Sequence, residues 1–305
     1  MSLPTTGYLE VKRSFWTTLT SEKYFKWTLL IPLLLILAIF MFYPMFYCLY
    51  YSAHDYTVVK PAEFVGWGMY RMVLRDPVFW KAMRVTFEIL AVCIATELII
   101  GMGVALWFNR EFRGQNVVRG LCLLPLLVSP FAISLFWTFM FHADFGIANQ
   151  VLMWLGFSGG TDWFGKELAL YSIMLMTIWQ WSPFAIFVLL AGLRSLPRDS
   201  FEAARVDGAS SWYTFRRLTL PMLTPLILII VLLRVMWLIR IFDPVYGTTR
   251  GAVGTETLDL MVNRIAFLFF DVGQGSALAM ISLFLTIILC AIMFRVLMKA
   301  LGVLK

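Results

Sequence analysis

The chain has 305 residues, 61% of them hydrophobic and 14% charged, with a mean hydropathy of +0.81. A soluble domain carries about a quarter charged residues, so the composition excludes one and indicates an all-α integral membrane protein. The formal net charge of +7 is then a matter of loop placement, and no aromatic–basic pattern of a nucleic-acid-binding surface is present.

Residues 1–26 form a basic N-terminal segment with Lys12, Arg13, Lys23 and Lys26. The segment lacks a short apolar stretch followed by a small-residue cleavage site, so no removed signal peptide is expected. Apolar runs of about 20 residues, the length that crosses a bilayer, fall near 27–51, 86–108, 121–142, 169–193, 221–242 and 275–298. The expected organisation is a six-helix domain over 27–298 and a short tail over 299–305. Six spans place both termini on one side. That side collects fifteen Lys and Arg residues, against eight on the other. The positive-inside rule therefore puts both termini in the cytoplasm.

Within the first connection, Gly66–Thr86 contains Tyr70, Asp76-Pro77 and Phe79-Trp80, the pattern of an interfacial amphipathic helix with aromatic anchors. The basic turn Asn109–Arg119 leads into the third span, where Leu124-Pro125 and Ser129-Pro130 predict kinks because proline frees backbone carbonyls. The fourth span carries Trp179-Gln180-Trp181-Ser182-Pro183-Phe184 and ends at Leu196-Pro197. Cys48, Cys93, Cys122 and Cys290 lie in or beside apolar runs without metal spacing, and are expected as buried small hydrophobes. His54 and His142 each stand alone at a span end, so no metal site or catalytic constellation is expected.

Between the fourth and fifth apolar runs lies a polar island, Asp199–Pro221. Asp199 at an N-cap with Glu202 at N3 predicts a capping-box-like start. Ala203 and Ala204 favour helix, and Gly208 suits a left-handed C′ position. Ser210 or Ser211 can cap a second short helix, which Pro221 ends or replaces with the next span. The island thus reads as a helix–corner–helix knob between two spans.

The series Glu202-Ala203-Ala204, Asp207-Gly208-Ala209, Leu218, Leu220-Pro221 resembles the EAA loop of bacterial ABC importer permeases. Gly208 follows the last alanine by four residues, and Leu218 stands where isoleucine is common. The resemblance extends over about 28–298 and is similar to the carbohydrate-uptake, maltose-type branch. Trp67, Gly68, Val85 and the run Arg250-Gly251-Ala252-Val253 depart from that branch's pattern. The resemblance implies a type I importer permease with a cytoplasmic coupling helix that docks on an ATPase, using Glu202, Ala203, Ala204, Asp207 and Gly208. An ordinary amphipathic loop is the plainer reading of the same residues. No second Glu-Ala-Ala pattern or internal repeat exists, which argues against an inverted-repeat secondary transporter.

Ionisable groups inside a bilayer are functional candidates, and Glu88, Glu97, Arg234 and Arg240 qualify. Glu97 and Arg234 lie at similar depth and invite an ion pair, while Arg240 near a span end can snorkel. The resemblance carries solute-contact positions onto Thr177, Gln180, Trp181 and Phe184, and onto Arg234, Trp237 and Leu238. Aromatic faces beside hydrogen-bonding groups suit a sugar. Were Arg234 not fully engaged by Glu97, an acidic sugar derivative would fit. The polar faces expected of Gln180, Glu97 and Arg234 exceed what six helices can satisfy, which predicts a homologous permease partner. The implied assembly adds two ATP-binding subunits, an extracytoplasmic solute-binding protein and membrane lipid. No Walker-type phosphate loop occurs, so ATP and Mg are expected on the partner ATPases and no cofactor on this chain. A non-sugar solute, or an ion-coupled transporter, are the alternatives.

Overall fold

The computed structural model describes residues 22–157 and 160–302. Most of the N-terminal segment and the last three residues of the tail therefore lie outside it, and with them the signal-peptide expectation. Residues up to Tyr50 form one unit and those from Tyr51 onward a second. The first unit holds all but the last residue of helix α1 (Glu22–Tyr51), whose membrane-length stretch is Leu30–Tyr51. Pro32 and Pro44 lie inside it.

In the second unit, strands β1 (His54–Thr57) and β2 (Lys60–Phe64) pair antiparallel, with His54 opposite Phe64. This hairpin departs from a purely helical expectation. Tyr56 stacks on Tyr51 at 4.6 Å, and His54 meets the Phe64 ring edge-on at 5.4 Å, the second a cross-strand aromatic pair of the kind that holds short ribbons. Helix α2 (Gly68–Arg75) follows with Met69 and Val73 buried, as its amphipathic pattern predicts.

Asp76 then caps α3 (Pro77–Phe108), accepting from Val78 N at 2.8 Å. The third apolar run is broken: α4 (Gln115–Leu123) with its 3-10 extension to Leu127 meets α5 (Pro130–Met140) at 101°. Pro130 opens α5 without an N–H to give. Past α6 (Ile147–Trp154), helix α7 (Ala169–Ser195) packs extensively along α3. A Cβ added at Gly101 would stand 2.8 Å from the Ala185 Cβ. Small residues at that crossing let two spans approach closely, which matters in lipid, where apolar burial alone drives no association.

Helix α8 (Arg198–Val206) and the single turn α9 (Ser211–Thr214) form the knob. A π turn over Phe215–Thr219 joins α9 to α10 (Leu220–Leu238), so Ser211–Leu238 runs as one membrane-length rod. The loop beyond holds α11 (Asp243–Tyr246) and α12 (Leu258–Asn263), and α13 (Val272–Ala300) closes the chain against α10 and α2. Among the described residues, five helices are long and apolar enough to cross a membrane, six if the bent pair counts as one. Of the four cysteines only Cys93 is buried; Cys48, Cys122 and Cys290 are half-buried, on spans whose packing inside the chain covers only part of their surface.

Candidate functional site

The knob departs from expectation at its start and matches it at its corner. Pro197 occupies the N-cap without a side-chain bond, and Asp199 lies in the first turn instead, where its charge still meets the positive end of the helix. Proline leaves the residue before it extended, so the helix cannot begin earlier. At the other end Ala209 N reaches Ala204 O at 2.9 Å and Gly208 N reaches Arg205 O at 3.1 Å. That is a Schellman closure, with Gly208 in the left-handed region at φ +73°. A Cβ there would meet nothing within 4 Å, so the requirement for glycine is conformational and not the steric exclusion that close backbone packing would impose. Ser210 starts the second helix, accepting from Tyr213 N at 3.2 Å. Glu202, Ala203, Asp207 and Gly208 are exposed and Ala204 is half-buried. Val206 and Trp212 project beside them, 89% and 68% exposed.

Midway along the bundle Arg234 of α10 grips Glu97 of α3. Its Nε and Nη2 donate to Oε2 and Oε1, both at 2.6 Å, and each residue is 1% exposed. Trp181 of α7 covers the guanidinium 4.8 Å from its ring centre, and Trp237 stands at 6.0 Å. A bidentate fork under an aromatic lid suits arginine and no other cation. One ion pair thereby joins three spans. Glu97 engages two of the three guanidinium nitrogens, Nε and Nη2.

Gln180 is also satisfied inside the chain, donating from Nε2 to Val128 O at 3.1 Å. That carbonyl lies at the break in the third span, so the amide replaces a helical bond that the bend removes. The expectation that Glu97, Arg234 and Gln180 need a second chain is therefore overturned. A cavity of about 330 Å³ opens beside the pair, with Thr177, Trp181, Arg234, Trp237 and Leu238 in its wall. Five of the seven expected solute-contact residues thus meet at one place. Gln180 stands outside the wall, as does Phe184, whose ring packs on Trp237 at 5.6 Å.

An exposed helix–corner–helix knob, a polar cavity between spans and a broken third span are the features to set beside known proteins. A family model described as "Binding-protein-dependent transport system inner membrane component" matches residues 97–301. The chain belongs to this family. The probable ABC transporter permease protein y4oQ of Sinorhizobium fredii is 36% identical over 243 residues, 78% of each chain. The sulfoquinovosyl glycerol transport system permease protein SmoG of Agrobacterium fabrum is 34% identical over 273 residues, 88% of each. The trehalose/maltose transport system permease protein MalF of Thermococcus litoralis is 32% identical over 264 residues, 85% of this chain and 88% of that one. Among solved structures, a bacterial alginate ABC transporter in complex with an alginate pentasaccharide-bound periplasmic protein matches at TM-score 0.77. The match has 17% identity and covers 95% of this chain and 96% of that one. At that identity the likeness speaks for the fold, a type I ABC importer permease.

The permease has a second cavity that the sequence did not reveal. About 420 Å³ in volume, it is walled by Arg240, Phe242, Asp259, Asn263, Ser282 and Thr286, among others. Arg240, Phe242 and Asp259 line both cavities, which adjoin one another. Burial pushes the Asp259 carboxyl above its ordinary range, opposed by the nearby Arg240. Arg240 was legible as an ionisable candidate inside a span and as a snorkelling residue. Asp259 and Asn263, one helical turn apart on α12, were the available signal.

Proposed function

We propose that this chain is one permease half of an ATP-driven, binding-protein-dependent importer of sugars or sugar derivatives. The observation that carries the reading is the exposed, Schellman-closed knob bearing Glu202-Ala203-Ala204 and Gly208 between α7 and α10. Glu202 has no partner within the chain among the described residues, and its neighbours Val206 and Trp212 offer apolar surface to a groove. Two ATP-binding subunits hold ATP and Mg and dock on two such knobs, one from this chain and one from a homologous permease. The chain itself carries no cofactor. A solute-binding protein delivers sugar from the far side of a bacterial cytoplasmic membrane, where the chain crosses lipid with both termini and residues 199–221 inside. The permease domain spans 27–298, between the cytoplasmic segment 1–26 and the tail 299–305.

The sugar reading is supported by the cavity wall, to which Trp181, Trp237 and Thr177 all contribute. It also accords with relatives whose names give trehalose/maltose and sulfoquinovosyl glycerol as cargo. ATP-driven closure acts through the knob and shifts the spans between two packings, one open to each side.

The test is reconstitution of the complete complex in vesicles with Glu202→Lys. The variant assembles and hydrolyses ATP while sugar uptake is lost. Wild-type uptake by the variant removes the coupling role, and uptake abolished by an uncoupler but indifferent to the ATPases replaces the whole reading with an ion-coupled transporter.

A further inference from the structure

Helix α2 presents two faces of opposite character. Met69 and Val73 are buried and pack with Phe79 of α3, Leu258 and Met261 of α12, and Leu278 of α13. The helix is therefore fixed to three neighbouring elements. Its other face sets Gly68, Arg71, Met72 and Arg75 at positions i, i+3, i+4 and i+7, the spacing of one helical stripe. These four and Asp76 wall an open cavity of about 530 Å³.

Arg71 and Arg75 are both exposed, and neither has a carboxylate partner among the described residues. The acids of the hairpin, Asp55 and Glu63, pair with Lys60 instead. Asp76 is engaged through one oxygen, since its Oδ1 accepts from Val78 N at 2.8 Å. Side chains one helical turn apart have Cβ atoms about 5–6 Å from each other, and each guanidinium offers a planar fork that suits a phosphate. Two arginines and one aspartate leave this wall with one net positive charge.

Depth in the bilayer bears on what fills it. Helix α3 has 32 residues, about 48 Å at 1.5 Å each, a little more than the roughly 40–45 Å of a bilayer with its headgroups. Its first turn, joined to α2 through Asp76 alone, therefore stands at headgroup level. Trp67 and Trp80 are exposed there, residues of the type enriched at a membrane interface. The Trp80 ring is held in place, because its Nε1 donates to Leu74 O at 2.9 Å. Met72, in the same wall as the arginines, is an exposed apolar side chain.

We infer that the cavity on α2 is a binding site for an anionic phospholipid of the outer leaflet, in the orientation proposed above. Arg71 and Arg75 hold its phosphodiester, the second oxygen of Asp76 accepts from a hydroxyl of a glycerol headgroup, and Met72 lies against the start of an acyl chain. Phosphatidylglycerol has that chemistry, and its single negative charge matches the wall. Because the helix beneath the site packs on α3, α12 and α13, a lipid held there braces the junction of those elements.

The experiment uses the complete complex in a background lacking the four native cysteines, with a fluorophore attached at Met72→Cys. The complex is reconstituted in mixed vesicles of phosphatidylcholine and phosphatidylglycerol, one or the other lipid carrying brominated acyl chains that quench the fluorophore on contact. Brominated phosphatidylglycerol is expected to quench at a mole fraction about ten-fold lower than brominated phosphatidylcholine, as a pair of charge-assisted hydrogen bonds implies. Arg71→Gln combined with Arg75→Gln removes that preference. Both side chains are exposed, so the buried face of α2 is left intact, and co-purification of the partner subunits shows that the variant is assembled.

Equal quenching by the two lipids overturns the inference. So does a preference that survives the double substitution, which then belongs to surface charge elsewhere on the chain. Loss of quenching on adding glycerol phosphate outside the vesicles assigns the arginines to a soluble phosphate. Loss on adding the solute-binding protein, at unchanged lipid, assigns them to a protein surface, and either result overturns the lipid site. None of these outcomes bears on sugar import.

Discussion

Gly208 and the pair Glu97–Arg234 carry roles that follow from local geometry. Gly208 is held at φ +73° with open space around it, so any penalty for a side chain is conformational, about 1–2 kcal/mol for the left-handed region. Asparagine tolerates that region and β-branched residues do not. Gly208→Asn is therefore expected to keep uptake near wild type, whereas Gly208→Val lowers uptake per ATP hydrolysed with the complex still assembled. Equal loss in both variants would point to contact with the ATPase instead. For the ion pair, Glu97→Ala or Arg234→Ala leaves an isolated buried charge and destabilises by about 3–5 kcal/mol. Glu97→Leu with Arg234→Met removes both charges and restores most of the thermal stability of the purified complex. Arg234→Gln that weakens uptake with no change in thermal stability would give the arginine a solute contact after all.

Whole elements were legible where one chemical property decides them. Apolar runs marked where the spans lie, because lipid admits little else for that length. The helix of the second span nevertheless begins at Pro77 and the fifth rod at Ser211, nine and ten residues before the runs expected at 86 and 221. Pro125 and Pro130 announced the break in the third span, and Glu97 with Arg234 announced a pair through matched depth. The hairpin His54–Phe64 was not legible. Its turn Val58-Val59 has none of the residues that mark a tight turn, and Pro61 argues against a strand. The role of Gln180 was hidden for another reason: its partner is a carbonyl freed 52 residues away by the bend. Gln180→Leu leaves Val128 O without that bond and is expected to lower stability by about 1–3 kcal/mol, read as a fall in Tm of the complex, with the KM for sugar little changed. A raised KM at constant Tm would return Gln180 to the solute path. At the α3–α7 crossing, Gly101→Val forces the spans apart against Ala185. Reduced recovery of assembled complex is expected, because in lipid this contact depends on close approach rather than on apolar burial.

At the scale of the molecule, the permease has a hairpin end and a knob end. Val59 at the hairpin tip is 96% exposed, and Asp207 at the knob is exposed. In a cysteine-free background, Val59→Cys should react with an impermeant thiol reagent only from outside the cell and Asp207→Cys only in inverted vesicles. The opposite pattern would invert the orientation assigned from Lys and Arg placement.

The π turn at Phe215–Thr219 gives the molecule a fixed phase. Leu220 N bonds Phe215 O, so the rod between knob and cavity contains one residue more than an α-helix needs for the same stretch. A single deletion there, such as Leu218, would let the turn relax to α geometry at little local cost. Each residue of an α-helix is about 100° of rotation, so an insertion of two or a deletion of three in plain helix would swing Trp237 and Arg234 away from the direction set by Glu202. The π turn can absorb the loss of one residue with that alignment kept. Length variants along 211–233 should accordingly show a sawtooth in uptake, tolerant of a one-residue deletion within 215–219 and intolerant of the same deletion five residues further on. The rod acts as a crankshaft whose keyway is a turn of five residues.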